Sequence, residues 1–175
     1  MSTFRIISLD PGGETGWATF TGDRILPITP GEKVQYENEQ WQCGTFTNPE
    51  HHLELYLWLQ EQQVETTHIV CESFEYRNVN KPGLELTSRE HIGVTKLFCQ
   101  QWQVMLYLQT ASMGKITDRS FTKKIHLQRL GFWQAGEEHK HEMDAYGHLL
   151  WYMIHHGRVL REELLERAWH EYEAH

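Results

Sequence analysis

The sequence predicts an α/β protein, a mixed sheet of five strands flanked by helices. Three observations lead there. Short β-rich runs crowd the region between residues 5 and 47, and helical and strand-like segments alternate after it. Glycine and proline punctuate the boundaries.

The 175 residues fit one domain, and 39% apolar with 12% aromatic residues is enough for a packed core. No window approaches the ~18–20 unbroken apolar residues of a spanning helix, and the mean hydropathy of −0.59 agrees. Met1 to Phe4 leads straight into a strand-like run with no signal-peptide pattern. Cys43, Cys71 and Cys99 form no C-x-x-C pair, so they are expected to be small buried residues in a reducing compartment rather than a disulfide frame or zinc ribbon.

Arg5-Ile6-Ile7-Ser8-Leu9 is the first strand, ending at Asp10 and the turn Pro11-Gly12-Gly13. Gly16 to Phe20 returns as its hairpin partner. Gly22 to Gln40 reads as a long connection, and Trp41 to Thr47 as the third strand. Asn48-Pro49 carries a helix-start signal, with Leu53, Leu57 and Val64 expected on the core face beside Tyr56 and Leu59. Thr67 to Glu72 is a buried strand ending on an acid, and Ser73 to Gly83 a loop. Thr87-Ser88-Arg89-Glu90 fits a capping box that opens a helix to about Gln101. Gln103 to Gln109 is strand-like. Helices are expected over Thr117–Leu130 and Lys140–His156, closed by Gly131 and Gly157. The main domain thus covers residues 1–157. Residues 158–175 form an amphipathic helix, with Leu160, Leu164, Leu165, Ala168 and Tyr172 on one side, packed on the same domain or placed at a dimer interface.

Net charge is −8, which argues against a generic nucleic-acid binder. The distribution is uneven. Lys115, Arg119, Lys123, Lys124 and Arg129 face only Asp118 within residues 112–130, a local +4. A basic face on an acidic body and a solvated helix surface both account for that run.

Four residues stand out for chemistry. Asp10 and Glu72 end strands, while His141 and Asp144 sit three apart on one helix face. Singly, each has a plainer reading: a turn former, a residue where the chain meets water, a surface pair. Together they suggest three carboxylates and one imidazole, a set that suits Mg²⁺ or Mn²⁺ and phosphodiester hydrolysis by two ions. No G-x-S-x-G or P-loop competes. A single Gly-rich turn in a chain this short is also too little for the two-lobed actin-like ATPases.

The segment Ser8-Leu9-Asp10-Pro11-Gly12-Gly13-Glu14-Thr15-Gly16-Trp17 resembles the D-P-G-x-x-x-T-G opening of the RuvC family of Holliday-junction resolvases, with a slightly shorter spacer. Val70-Cys71-Glu72-Ser73-Phe74 and His141-Glu142-Met143-Asp144-Ala145 resemble that family's second and third motifs, in order. The resemblance spans roughly residues 4–157. It implies a ribonuclease H-like fold and a bacterial or phage-infected cytoplasm. It also implies a homodimer that nicks branched DNA in pairs, with Mg²⁺, or Mn²⁺ as substitute, at Asp10, Glu72, His141 and Asp144.

His139 rivals His141 as a ligand, but only His141 stands three before Asp144. His148 shares nearly the same helix face, in the core or behind the ligands. Lys115, Arg119, Lys123 and Lys124 are the candidate phosphate contacts. Phe74, Tyr76 and Arg77 follow Glu72 on its loop and are the candidates for contacting bases or for packing that loop; the family's aromatic position there is Glu75. A ribonuclease H-like nuclease for flaps, forks or RNA hybrids, and a nuclease-dead junction binder, share the same motifs.

Overall fold

The computed structural model describes residues 2–25, 35–63, 66–73, 84–114 and 140–156. In chain order they form β1 (Ser2–Asp10), β2 (Thr15–Ile25), β3 (Gln35–Phe46), α1 (His52–Gln62), β4 (Thr66–Glu72), α2 (Leu84–Trp102), β5 (Met105–Gln109), a single turn α3 (Ala111–Gly114) and α4 (Lys140–His155). The strands make one sheet in the order β3-β2-β1-β4-β5. The β1–β2 and β2–β3 pairs are antiparallel, whereas β1–β4 and β4–β5 run parallel. This is the expected mixed five-stranded sheet.

Period-two alternation divides the strands between two helical layers. Phe4 and Ile6 of β1, Ala18 and Phe20 of β2 and Val70 of β4 pack under Ala145, Tyr146, Leu149, Leu150, Tyr152 and Met153 of α4. On the other face Ile7, Leu9, Ile69 and Cys71 meet Leu55 and Leu59 of α1 and Ile92, Phe98 and Cys99 of α2. Each large side chain so enclosed contributes about 1.5–3 kcal/mol. Burial holds the thiols in their protonated form, with Cys71 raised far above its ordinary value and Cys99 pushed up to about 12. Cys43 is half-buried, and none of the three cysteines is in a disulfide.

Four expectations need correction. The connection after β2 is shorter than Gly22–Gln40, because β2 runs to Ile25 and β3 begins at Gln35. The polar residues there belong to strand, with a register shift between Thr21 and Asp23, left-handed Asn38 (φ 52°), and Asn38 Nδ2 donating to Asp23 Oδ2 at 2.8 Å.

The second concerns the start of α1, at His52 rather than at Pro49. Asn48 instead closes a turn, its side-chain oxygen accepting from the Glu50 amide at 3.0 Å. Third, α1 buries Leu55 and Leu59 and leaves Leu53 68% and Leu57 48% exposed. Apolar residues ring this helix, so the 53/57 and 55/59 spacings are equally regular, and packing decides between them.

Fourth, α2 begins at Leu84, which puts Thr87–Glu90 inside the helix instead of at its cap. Its end is well defined. Gln103 adopts φ 56° and the Val104 amide donates back to the Cys99 carbonyl at 3.0 Å, a Schellman closure that delays β5 to Met105. The helices expected over 117–130 and 158–175 lie outside the described residues.

Candidate active site

Parity along β1 fixes the direction of Asp10. Phe4 and Ile6 face α4, so Ser8 and Asp10 face it too. In β4, Val70 faces α4 and therefore so does Glu72. The parallel register sets Leu9 opposite Cys71, which brings both strand-ending acids to the same edge of the sheet. Across the next pair Glu72 stands opposite Gln109, the last residue of β5. Helix α4 crosses this edge with His141, Asp144 and His148 at i, i+3 and i+7, on one side.

The hydrogen bonds follow. His141 Nδ1 lies 2.9 Å from Asp10 Oδ2, and its Nε2 faces Glu14 Oε2 at 4.0 Å. The Asp10 side chain is nearly enclosed, at 11% exposure against 37% for His141. Seven residues on, His148 Nε2 lies 3.0 Å from Glu72 Oε2 and His148 Nδ1 lies 2.7 Å from Gln109 Oε1. The Gln109 amide nitrogen donates to the His148 carbonyl at 3.3 Å.

The electrostatics show crowding. Asp144 is raised from 3.8 to about 6, first by burial and then by the charge of Asp10 and Glu72, against Lys140 and His148. His141 is raised above its ordinary range, chiefly by its bond to Asp10 and further by the charges of Asp10, Glu14 and Asp144, against burial. Asp144 thus lies within the field of both strand-end acids.

Two local devices hold the edge together. Thr15 Oγ1 accepts from the Gly12 amide at 3.4 Å and bonds His51 Nε2 at 2.7 Å, tying the Asp10 turn to the start of α1. His51 stacks on buried His91 of α2, with ring centroids 3.8 Å apart. The second device is Gly16, opposite Asp10 in β2. A Cβ there would fall on the His141 carbonyl and 2.8 Å from the Glu142 nitrogen, so only glycine lets α4 approach so closely. Buried Glu142 anchors the same turn from the far side, accepting from Thr45 Oγ1 at 3.0 Å and from Cys43 Sγ at 3.9 Å.

The donor chemistry fits a hard divalent ion, because a carboxyl raised by burial and by neighbouring acids, as Asp144 is, is relieved by a cation. Among the described residues no group of three or more His, Cys, Asp or Glu side chains is gathered closely enough to hold a metal ion. Asp10 and Glu72 are instead each bonded to an imidazole of α4.

Of the residues singled out in the sequence, Asp10 and His141 touch directly, Glu72 joins α4 through His148, and Asp144 lies within their field. Phe74, Tyr76, Arg77, Lys115, Arg119, Lys123 and Lys124 lie outside the described residues, as does His139. Sequence reasoning missed Glu14, Gln109 and Glu142. Glu14 was legible as the acid inside the Gly-rich turn. Gln109 carries no signal until strand register is known.

No protein-family model matches the chain, nor does any curated sequence. Solved structures do. The chain is similar to Thermus thermophilus RuvC in complex with a Holliday junction substrate, with TM-score 0.54 and 12% identity over 87% of this chain and 94% of that one. It is similar also to a second Thermus thermophilus RuvC structure, with TM-score 0.51 and 12% identity over 87% and 97% of the two chains. The chain therefore has the RuvC-like, ribonuclease H-type α/β fold.

Proposed function

We propose that this chain is a divalent-metal-dependent, structure-selective endonuclease that resolves four-way DNA junctions by paired phosphodiester hydrolysis, acting as a homodimer. One observation carries the reading: acids ending two adjacent parallel strands meet a His/Asp helix face at one sheet edge, in a fold shared with a junction-bound RuvC.

Asp10, Glu72 and Asp144, with His141, would hold Mg²⁺ or Mn²⁺, two ions per site. Bound there, the ions supply Lewis-acid stabilisation of the phosphoryl oxygens and an acidified water. The chain's own part is orientation and charge. Asp144, raised to about 6, lends the site a carboxyl whose ionised form gains from a nearby cation. His141 holds a proton at Nδ1 against Asp10, with its Nε2 4.0 Å from Glu14 Oε2. Lys115, Arg119, Lys123 and Lys124 are assigned to backbone phosphates. The local +4 of residues 112–130 supports this, since net charge cannot hold DNA on an acidic chain. Phe74, Tyr76 and Arg77, directly after Glu72, are assigned to the junction centre.

The test is a labelled synthetic four-way junction incubated with the full chain in Mg²⁺, Mn²⁺ or chelator, beside flap, fork, linear-duplex and RNA-hybrid substrates. The expected result is paired, metal-dependent incision of the junction. Preferential cutting of another substrate would transfer the activity to it, and junction binding without incision in either metal would leave a pure binder.

A further inference from the structure

Glu72 does not stand alone at the end of β4. His148 is wholly enclosed, yet both its ring nitrogens have oxygen partners: Glu72 Oε2 at 3.0 Å and Gln109 Oε1 at 2.7 Å. A buried imidazole whose two nitrogens are both engaged has one orientation, and turning the ring breaks both contacts. Gln109 cannot swing away either. Its amide nitrogen is fixed on the His148 carbonyl, and its backbone is paired in register with Glu72. The chain Gln109–His148–Glu72 is therefore a closed loop of contacts between β4, β5 and α4, with only its last carboxylate reaching solvent, 26% exposed. Glu72 Oε1 has no hydrogen bond among the described residues.

We infer that His148 is a positioning residue for Glu72, locking Oε2 so that Oε1 is presented at the sheet edge as the acceptor for a divalent cation, with Gln109 setting the ring. The inference rests on the nuclease reading for its purpose but on the three contacts for its geometry. Such outer partners typically change metal affinity or activity by about 10- to 100-fold when removed.

Two substitutions separate positioning from mere filling of the core. In His148→Gln the side-chain amide nitrogen falls near the place of Nε2 and keeps the donor to Glu72. In His148→Asn it falls near Nδ1 and keeps only the Gln109 side. The probe is Mn²⁺ alone, followed by electron paramagnetic resonance on the DNA-free protein, with thermal midpoints recorded and junction cleavage measured separately. The expected order is wild type, then His148→Gln within a few fold, then His148→Asn weaker in Mn²⁺ affinity by about 10- to 100-fold.

Equal affinities for the two variants, or affinities that merely follow their thermal midpoints, overturn the inference. Should both variants unfold, Gln109→Ala decides, with a several-fold loss of Mn²⁺ affinity expected and an unchanged affinity overturning it. Mn²⁺ affinities in the expected order, with a wild type that cuts no DNA, would refute the nuclease reading and leave the clamp standing. A wild type that binds no Mn²⁺ would remove the clamp's purpose and refute both.

Discussion

His141 Nδ1 and Asp10 Oδ2 meet at 2.9 Å although 131 positions separate them in the chain. The bond joins the first turn of α4 to the end of β1, and it exists because Gly16 leaves α4 room to approach. Everything chemical at this edge depends on that approach.

Gly16→Ala should therefore push α4 off the sheet at its N-terminal turn. The obstacle is backbone, which cannot rotate away as a flexible side chain can. A loss of about 1–3 kcal/mol in chemical denaturation is expected, as for other overpacked sites. Metal-dependent cleavage should fall further than stability alone explains. A variant of unchanged stability and activity would contradict the close packing.

The raised Asp144 makes a signed prediction for the metal-free protein. Its carboxyl holds a proton more tightly folded, at about 6, than unfolded, at 3.8. Stability linked to it is thus fully present below about pH 4 and is lost as pH rises through about 6. Asp144→Asn should gain about 1–2 kcal/mol at pH 7.5, after discounting for solvent screening, and nothing at pH 4. Thermal midpoints across that range check it. Added Mg²⁺ should stabilise the wild type more than the variant, because the ion binds the folded carboxylate.

His141 is also raised, by Asp10 above all. Its contribution is complete below the unfolded histidine value of about 6.5 and fades as pH climbs through the higher folded value. The thermal midpoint difference between wild type and His141→Gln should accordingly shrink from pH 6 towards pH 9. A difference that grows with pH would show that the imidazole is not paired with Asp10.

The corrected face of α1 is testable by paired truncation. Leu55→Ala should cost about 2–5 kcal/mol, since Leu55 is fully enclosed. Leu53→Ala, at an exposed position, should stay within about 0.5 kcal/mol. The reverse order would restore the face suggested by the 53/57 spacing.

What the sequence made legible follows from how local each signal is. The end of β1 at Asp10, the end of β4 at Glu72 and the span of α4 are written in contiguous residues, an apolar run meeting an acid or a periodic run meeting Gly157. The face of α1 is not, because apolar residues on every side leave the choice to tertiary packing. Nor is the length of β3, whose polar residues around Asn38 look like loop until they pair with β2. His141 and Asp144 were legible from helical spacing. The contacts of His148 were only half legible, since its partner Gln109 reaches it through the register of β4 and β5.

The most direct test of the convergent site is Asp10→Asn, compared with wild type for junction binding in Ca²⁺ or chelator and for junction cleavage in Mg²⁺ and Mn²⁺. With the fold shown intact by its thermal midpoint, binding should be retained and incision should drop to background. Full incision by the folded variant would contradict the site.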